Sequence, residues 1–154
     1  MIRPKVCPFL WFHDRAEEAA RFYVSLFPNS EIVSATPGPD GKAKVVEFRL
    51  AGIPFMALNG GPYYTLNGAF SLSVDCQTQD EVDHFWEKLT EGGSVIQCGW
   101  LTDRFGLTWQ VVPTVLPQLL LSPDPAISGR VMEVMLKMDK LIIRDLEEAA
   151  GIHK

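Results

Sequence analysis

One order of secondary-structure signals occurs twice in this chain, and that doubling restricts the fold more than any single motif does. In the first half, residues 5–13 (KVCPFLWFH) read as an aromatic-rich strand, with Pro8 tolerable near its start or on an edge. Asp14 and Glu17 have capping-box spacing. Ala16, Ala19, Ala20, Tyr23, Leu26 and Phe27 then recur at helical intervals until Pro28-Asn29 ends the run. Residues 31–36, 43–50 and 53–59 read as strands, separated by a turn at 37–41 and by Ala51-Gly52. The second half repeats this. After a turn-rich stretch, residues 69–75 (AFSLSVD) alternate as a strand, and Thr78 and Glu81 form a stronger capping box. Val82, Phe85, Trp86 and Leu89 make an i, i+3, i+4, i+7 stripe that Gly92-Gly93 ends. Residues 94–101 give one or two short strands, 103–106 a turn and 107–113 a last strand. A shift of 63 residues carries Glu18 onto Glu81, Phe22 onto Phe85 and Leu26 onto Leu89. The chain is therefore expected to be α+β, with two β-α-β-β-β modules at about 4–60 and 68–113.

A helical extension at about 114–152 follows. Pro113 and Pro117 flank a short apolar turn, and Asp124-Pro125 has the form of a helix start. Val131, Val134, Met135 and Met138 keep helical spacing, and a last short helix carries Ile143, Leu146 and Ala150, closed by Gly151. Met132, Met135 and Met138 have the spacing of a pliable binding stripe, but a helix packed on a core is the plainer reading.

With 154 residues, 47% of them apolar, the chain is long enough to bury a core as one domain, and it is not compositionally disordered. A net charge of −5 offers polyanions no general attraction, so nucleic acid is not an expected partner. No apolar run reaches the roughly 20 residues of a membrane span. The start, Met-Ile-Arg-Pro-Lys, has no signal-peptide core. Cys7, Cys76 and Cys98 are odd in number and widely spaced, as expected of reduced thiols in the cytoplasm.

The run from Gly99 to Pro113, which contains GW-x₂-D-x-FG-x₂-WQ, resembles the PhnB-like branch of the vicinal oxygen chelate superfamily. The segments at 130–138 and 140–149 resemble it too. That superfamily includes the glyoxalase, bleomycin-resistance and dioxygenase proteins, and the branch is catalogued as "3-demethylubiquinone-9 3-methyltransferase". The resemblance implies paired β-α-β-β-β modules whose mixed sheet cups a ligand cavity, and an assembly that is expected to be a homodimer. In its metal-dependent members, His or Glu occupies up to four cavity-facing positions. Here those positions fall near Cys7 to Phe9, near Ala57 to Asn59, near Ala69 and at Gln110. A carboxamide is a poor substitute for a charged oxygen ligand, and no imidazole or carboxylate stands at the other three, so no metal or other cofactor is expected.

His13 ends the first strand and reads as a solvent-facing or capping residue; His84 and His153 have no ligand-like partner at i+3 or i+4. Cys7 reads as an inert thiol rather than a ligand or nucleophile. A Rossmann methyltransferase would need a strand ending in a glycine-rich turn that opens a helix. The glycine pairs at 38 and 41, 60 and 61, and 92 and 93 lack that context, so the catalogued activity does not follow from the residues. Alternation assigns Phe9, Trp11, Asn59, Ser71, Ser73, Thr108 and Gln110 to the cavity, with Trp100 at its mouth. This composition suits a small, aromatic organic ligand. Two functions follow: a metal-free binding protein, as in the bleomycin-resistance members, or an enzyme of the superfamily (a metal-dependent lyase, isomerase or dioxygenase type) with Gln110 and Asn59 holding a carbonyl or metal-bound oxygen.

Overall fold

The computed structural model describes residues 4–152, which leaves His153 outside the described residues. The chain divides into two compact units between Leu66 and Asn67. In the first, β1 (Phe9–Phe12) leads into α1 (Ala16–Leu26), followed by β2 (Glu31–Pro37), β3 (Ala43–Leu50) and β4 (Ile53–Asn59). These strands form one sheet in the order β1-β4-β3-β2, with β1 parallel to β4 and the other pairs antiparallel. In the second unit, β5 (Ser71–Cys76) leads into α2 (Gln79–Thr90), then β6 (Ser94–Gln97), β7 (Trp100–Thr102) and β8 (Thr108–Pro113). The order β5-β8-β7-β6 repeats the topology, with β5 parallel to β8. The expected α+β architecture of doubled modules is therefore present as two four-stranded mixed sheets.

The 63-residue repeat holds from α1 to α2 and on to the first residues of β2 and β6 (Glu31 and Ser94). Beyond that point it fails, because β6 and β7 are much shorter than β2 and β3.

Each helix covers one face of its own sheet. Leu10, Phe12, Val46, Phe48, Leu50, Phe55 and Ala57 are buried together with Ala16, Ala19, Ala20 and Tyr23 of α1. Val74, Cys76, Leu101, Trp109 and Val111 are buried with Val82 and Leu89 of α2. Because strand side chains alternate, the residues between these lie on the opposite face of each sheet, called helix-free below because neither α1 nor α2 covers it, although Val112 at the end of β8 packs there against the helical extension. The buried sets fix which face that is.

Several expected details differ. The first strand is four residues long, not nine. The Asp14–Glu17 capping box does not form: the helix begins after Arg15 with no side-chain cap. The Ala16 N–H instead donates to Asn59 Oδ1 at 2.8 Å. At the second box the Thr78 cap forms, with Glu81 N–H donating to Thr78 Oγ1 (3.2 Å), while Glu81 Oε1 accepts from Gln77 N–H (3.4 Å), one residue before the cap, rather than from Thr78. The stretch between Pro113 and Pro117 is the start of a helix, α3 (Val115–Leu120), rather than a turn. Pro117 sits in its first turn, where a missing N–H costs no intrahelical bond.

Asp124 caps α4 (Pro125–Met135) by accepting from Ala126 N–H at 2.9 Å, and α5 (Ile143–Ala149) follows. Leu116, Val131, Leu141 and Leu146 form the core of this extension, and Met135 and Met138 pack against it. Two of the three methionines are thus packing residues; Met132 remains exposed.

Candidate functional site

In the first unit the helix-free face carries Phe9 and Trp11 on β1, beside Met56 and Leu58 on β4. Phe9 is 53% exposed, while Trp11, Met56 and Leu58 are half-buried. The Trp11 indole N–H donates to Gly61 O at 3.0 Å, and the Tyr64 ring stands edge-on to the indole with centroids 5.0 Å apart. The ring faces therefore supply what Trp11 can offer a ligand, since its N–H is already engaged.

Asn59 is not on this face. It shares the parity of Phe55 and Ala57, and both ends of its amide are used internally. Oδ1 takes the Ala16 N–H, and Nδ2 donates to Ala43 O at 2.8 Å. Asn59 thus supplies the cap for α1 that Asp14 was expected to give, and ties that helix to β3. Its expected place in the cavity is corrected on that ground.

In the second unit the helix-free face presents two cross-strand rows. Ser71 pairs with Thr108, which pairs with Thr102; Ser73 pairs with Gln110, which pairs with Trp100. Gln110 Nε2 donates to Ser71 Oγ at 3.0 Å, which couples the rows diagonally. Its Oε1 has no protein partner among the described residues. Thr108 is buried, Gln110, Ser71 and Trp100 are half-buried, and Ser73 is exposed. The structure therefore brings together the five residues assigned to this module: Ser71, Ser73, Trp100, Thr108 and Gln110. What the face offers chemically is hydroxyls, one oriented carboxamide and an indole.

None of the four metal positions inferred by resemblance carries an imidazole or a carboxylate, the first being the Cys7-Pro8-Phe9 stretch. Ala57 is buried under α1, Asn59 is spent on the cap, Ala69 precedes β5 and Gln110 is bonded to Ser71. No group of three or more His, Cys, Asp or Glu side chains among the described residues is placed to hold a metal ion. The donor set does not fit a transition metal. Nor does it fit a Rossmann-bound methyl donor. The turns that lead from β1 into α1, from β5 into α2 and from β8 into α3 contain no glycine.

Two of the thiols, Cys76 and Cys98, are poorly suited to nucleophilic chemistry. Burial, with the nearby Glu81 and Asp75 carboxylates, pushes the Cys76 thiol up to about 11. Burial and Asp139 raise that of Cys98. His13, expected to face solvent, is exposed but bonded to the 60–66 loop. Its Nε2 donates to Tyr64 O at 3.0 Å, with Thr65 Oγ1 3.2 Å away.

The GW-x₂-D-x-FG-x₂-WQ run is largely structural. Asp103, 3% exposed, accepts Phe105 N–H (2.8 Å) and Leu107 N–H (3.1 Å) on Oδ1 and Trp109 Nε1–H (2.8 Å) on Oδ2. Gly106 closes the turn at φ +95°, a conformation that side-chain-bearing residues rarely adopt. At the end of the run, Trp109 turns inward while Thr108 and Gln110 lie on the helix-free face. Sequence reasoning missed Asp103 as the organiser of the run, although a short-range Asp-x-Phe-Gly followed by Trp is the signal of an Asx-type turn.

A family model described as 3-demethylubiquinone-9 3-methyltransferase matches residues 4–112. No curated protein matches the sequence. Among solved structures, a PhnB protein from Bacillus cereus, titled a putative 3-demethylubiquinone-9 3-methyltransferase, is similar at 33% identity, with a TM-score of 0.68, over 72% of this chain and 100% of that one. Protein PA1353 from Pseudomonas aeruginosa is similar at 24% identity, with a TM-score of 0.58, over 72% and 98%. The fosfomycin resistance protein FosX from Listeria monocytogenes, in a complex with Mn(II) and sulfate, shares the fold at 17% identity, with a TM-score of 0.54, over 72% and 92%.

Proposed function

The chain belongs to the PhnB-like family described as 3-demethylubiquinone-9 3-methyltransferase, with a glyoxalase and fosfomycin-resistance type of fold, and on that premise we propose that it binds a small, uncharged, aromatic organic molecule without a bound metal. The observation that carries the reading is the row Ser73–Gln110–Trp100, with Thr108 and Ser71 beside it. An amide fixed by Ser71 leaves its carbonyl oxygen to accept a ligand O–H or N–H, and an indole lies alongside for the ligand ring. The row of Trp11, which also holds Leu58, Val45 and Thr36, contains no charged side chain, nor does the Gln110 row, whereas the neighbouring row of Phe9 and Met56 includes Glu47. A charged ligand would lose hydration there with no counter-charge in the row to replace it.

The methyl-transfer activity in the family description is not part of this proposal, because the strand-turn-helix glycine site it would need is absent among the described residues. Two copies of the chain are proposed to pair, using apolar side chains such as Met132 and Leu136 that the extension leaves exposed. Light scattering is expected to give twice the 17.2 kDa chain mass; a single-chain mass refutes the pairing.

The test of the binding reading is a ligand-observed NMR screen of uncharged aromatic fragments against wild type and Gln110→Ala. Loss of the Gln110 acceptor should weaken a selected fragment by about 1–3 kcal/mol, roughly 5- to 150-fold. Fragments that bind both proteins equally would remove Gln110 from the site. One transition-metal ion per chain by plasma mass spectrometry, lost with activity on chelation, would overturn the metal-free reading in favour of a metalloenzyme.

A further inference from the structure

We propose that residues 60–66 are a latched strap over the helix-free face of the first sheet, and that release of its latch on His13 controls access of an aromatic ligand to Trp11. Trp11 stands on the face opposite to the buried Leu10 and Phe12, and His13, in the bend just after β1, meets the same Tyr64 that packs on Trp11. The segment that leaves β4 returns across both. Gly60 N–H donates to Phe12 O (2.9 Å) and Gly61 N–H to His13 O (3.1 Å), so the strap starts as a short backbone zipper along β1.

Contact with the indole is close enough to require glycine. A Cβ on Gly60 would stand 2.3 Å from ring atoms of Trp11, and Gly61 has φ +84°. The far end is held by side chains, with His13 Nε2 donating to Tyr64 O, Thr65 Oγ1 near the same nitrogen, and Tyr64 edge-on to Trp11.

Two properties mark this segment as able to open by itself. Its far anchors are solvent-exposed side-chain contacts rather than ladder bonds, and Tyr63 and Tyr64 are 83% and 68% exposed, so little burial holds them. The near anchors are backbone bonds at a Gly-Gly pair, which is a suitable hinge. Opening at Tyr64 and Thr65 withdraws the Tyr64 ring from Trp11 while the zipper at 60–61 stays made. The His13 contact does not depend on protonation of the ring, because Nε2 donates to a carbonyl in both the neutral Nε2–H tautomer and the imidazolium.

The proposal rests on the binding reading above for its ligand, and the test separates the two. Wild type is compared with His13→Ala/Thr65→Val, which removes the latch while leaving Trp11, Tyr63, Tyr64 and the core intact. Chymotrypsin cleavage after Tyr63 and Tyr64 reads strap opening directly. Stopped-flow fluorescence of the uncharged aromatic probe N-phenyl-1-naphthylamine reads access.

The latch variant should be cleaved roughly three- to tenfold faster at these two bonds, with a similar rise in probe association rate. Equal cleavage of the two proteins would overturn the latch. Faster cleavage with probe binding at an unchanged rate would overturn the control of access. A probe that binds neither protein would refute the binding reading and the gate together, even if cleavage accelerates. The single variants His13→Ala and Thr65→Val, both at exposed positions, should each give part of the effect.

Discussion

Removal of the Asp103 carboxylate should cost the second module a large part of its stability. Asp103 is 3% exposed, and its two oxygens receive three N–H groups, from Phe105, Leu107 and the Trp109 indole, at 2.8, 3.1 and 2.8 Å. A hydrogen bond to a charged group contributes about 1.5–3 kcal/mol net, and three that share one carboxylate do not add. Asp103→Ala also leaves the N–H of a nearly fully buried Trp109 without this acceptor, at about 1–3 kcal/mol. The whole loss is therefore about 3–5 kcal/mol, against total stabilities of about 5–15 kcal/mol for domains of this kind. Asp103→Asn should be milder, about 1–3 kcal/mol, because one oxygen still serves Phe105 and Leu107 while an amide N–H₂ meets the indole N–H donor to donor.

Urea unfolding followed by far-UV circular dichroism and tryptophan fluorescence measures both variants. With a slope of about 2 kcal/mol/M, the alanine variant should lose about 2 M in midpoint. Trp109→Phe removes the indole donor, so Asp103→Asn should cost about 1–2 kcal/mol less in that background. An alanine variant within about 0.5 kcal/mol of wild type would refute the reasoning. So would equal costs for Asp103→Asn with and without Trp109, since the indole contact would then carry no energy.

Asn59→Ala should destabilise the first module by about 1.5–3 kcal/mol, from the lost cap on Ala16 N–H and the lost bond to Ala43 O, read by the same denaturation. Asp14→Ala should then be nearly silent, and the reverse order of effects would restore the capping box to Asp14. Cys76 sets an alkaline limit: its thiol is raised from an ordinary value near 9 to about 11 in the fold. The contribution of the neutral buried thiol is fully present below about pH 9, the unfolded value; above it the unfolded thiol gives up its proton while the buried one holds it, so stability falls as pH rises from about 9 toward about 11. Wild type should therefore lose stability over that window more steeply than Cys76→Ala, and parallel pH profiles would refute the assignment.

How much of this is legible in the sequence depends on the distance over which each feature is decided. The Thr78 cap and the Asp124-Pro125 start are local patterns, and both caps form where they are read, although Glu81 returns its bond to Gln77 rather than to Thr78. Alternation along β5 and β8 places Ser71, Ser73, Thr108 and Gln110 on one face, because a period of two leaves only two choices once the buried set is known. The Asp14 cap fails for a tertiary reason: Asn59, at the end of a strand paired in parallel with β1, reaches the first helical N–H. No spacing rule within the helix contains that competitor. The strap is likewise hidden, since GGPYYTLNG signals only turns until His13 and Trp11 are known to stand beneath it. Pro117 reads as a boundary of a turn but is a first-turn helix residue, and both roles use the same residue type.

The parallel pairing within each sheet also dictates an order of assembly. β3 and β4 meet across Ala51-Gly52, and β7 and β8 across the Asp103 turn, so both hairpins close short loops. β1 must instead find β4, with Phe9 against Met56, and β5 must find β8, with Ser71 against Thr108, each across an intervening helix and hairpin. Closure of the longer loop carries the larger entropic cost, so β1 and β5 dock late on the folding path. Those two strands carry Phe9, Trp11, Ser71 and Ser73. Substitutions there should leave the folding rate nearly unchanged and act on the unfolding rate, so the surface assigned to the ligand can vary without slowing the birth of the fold.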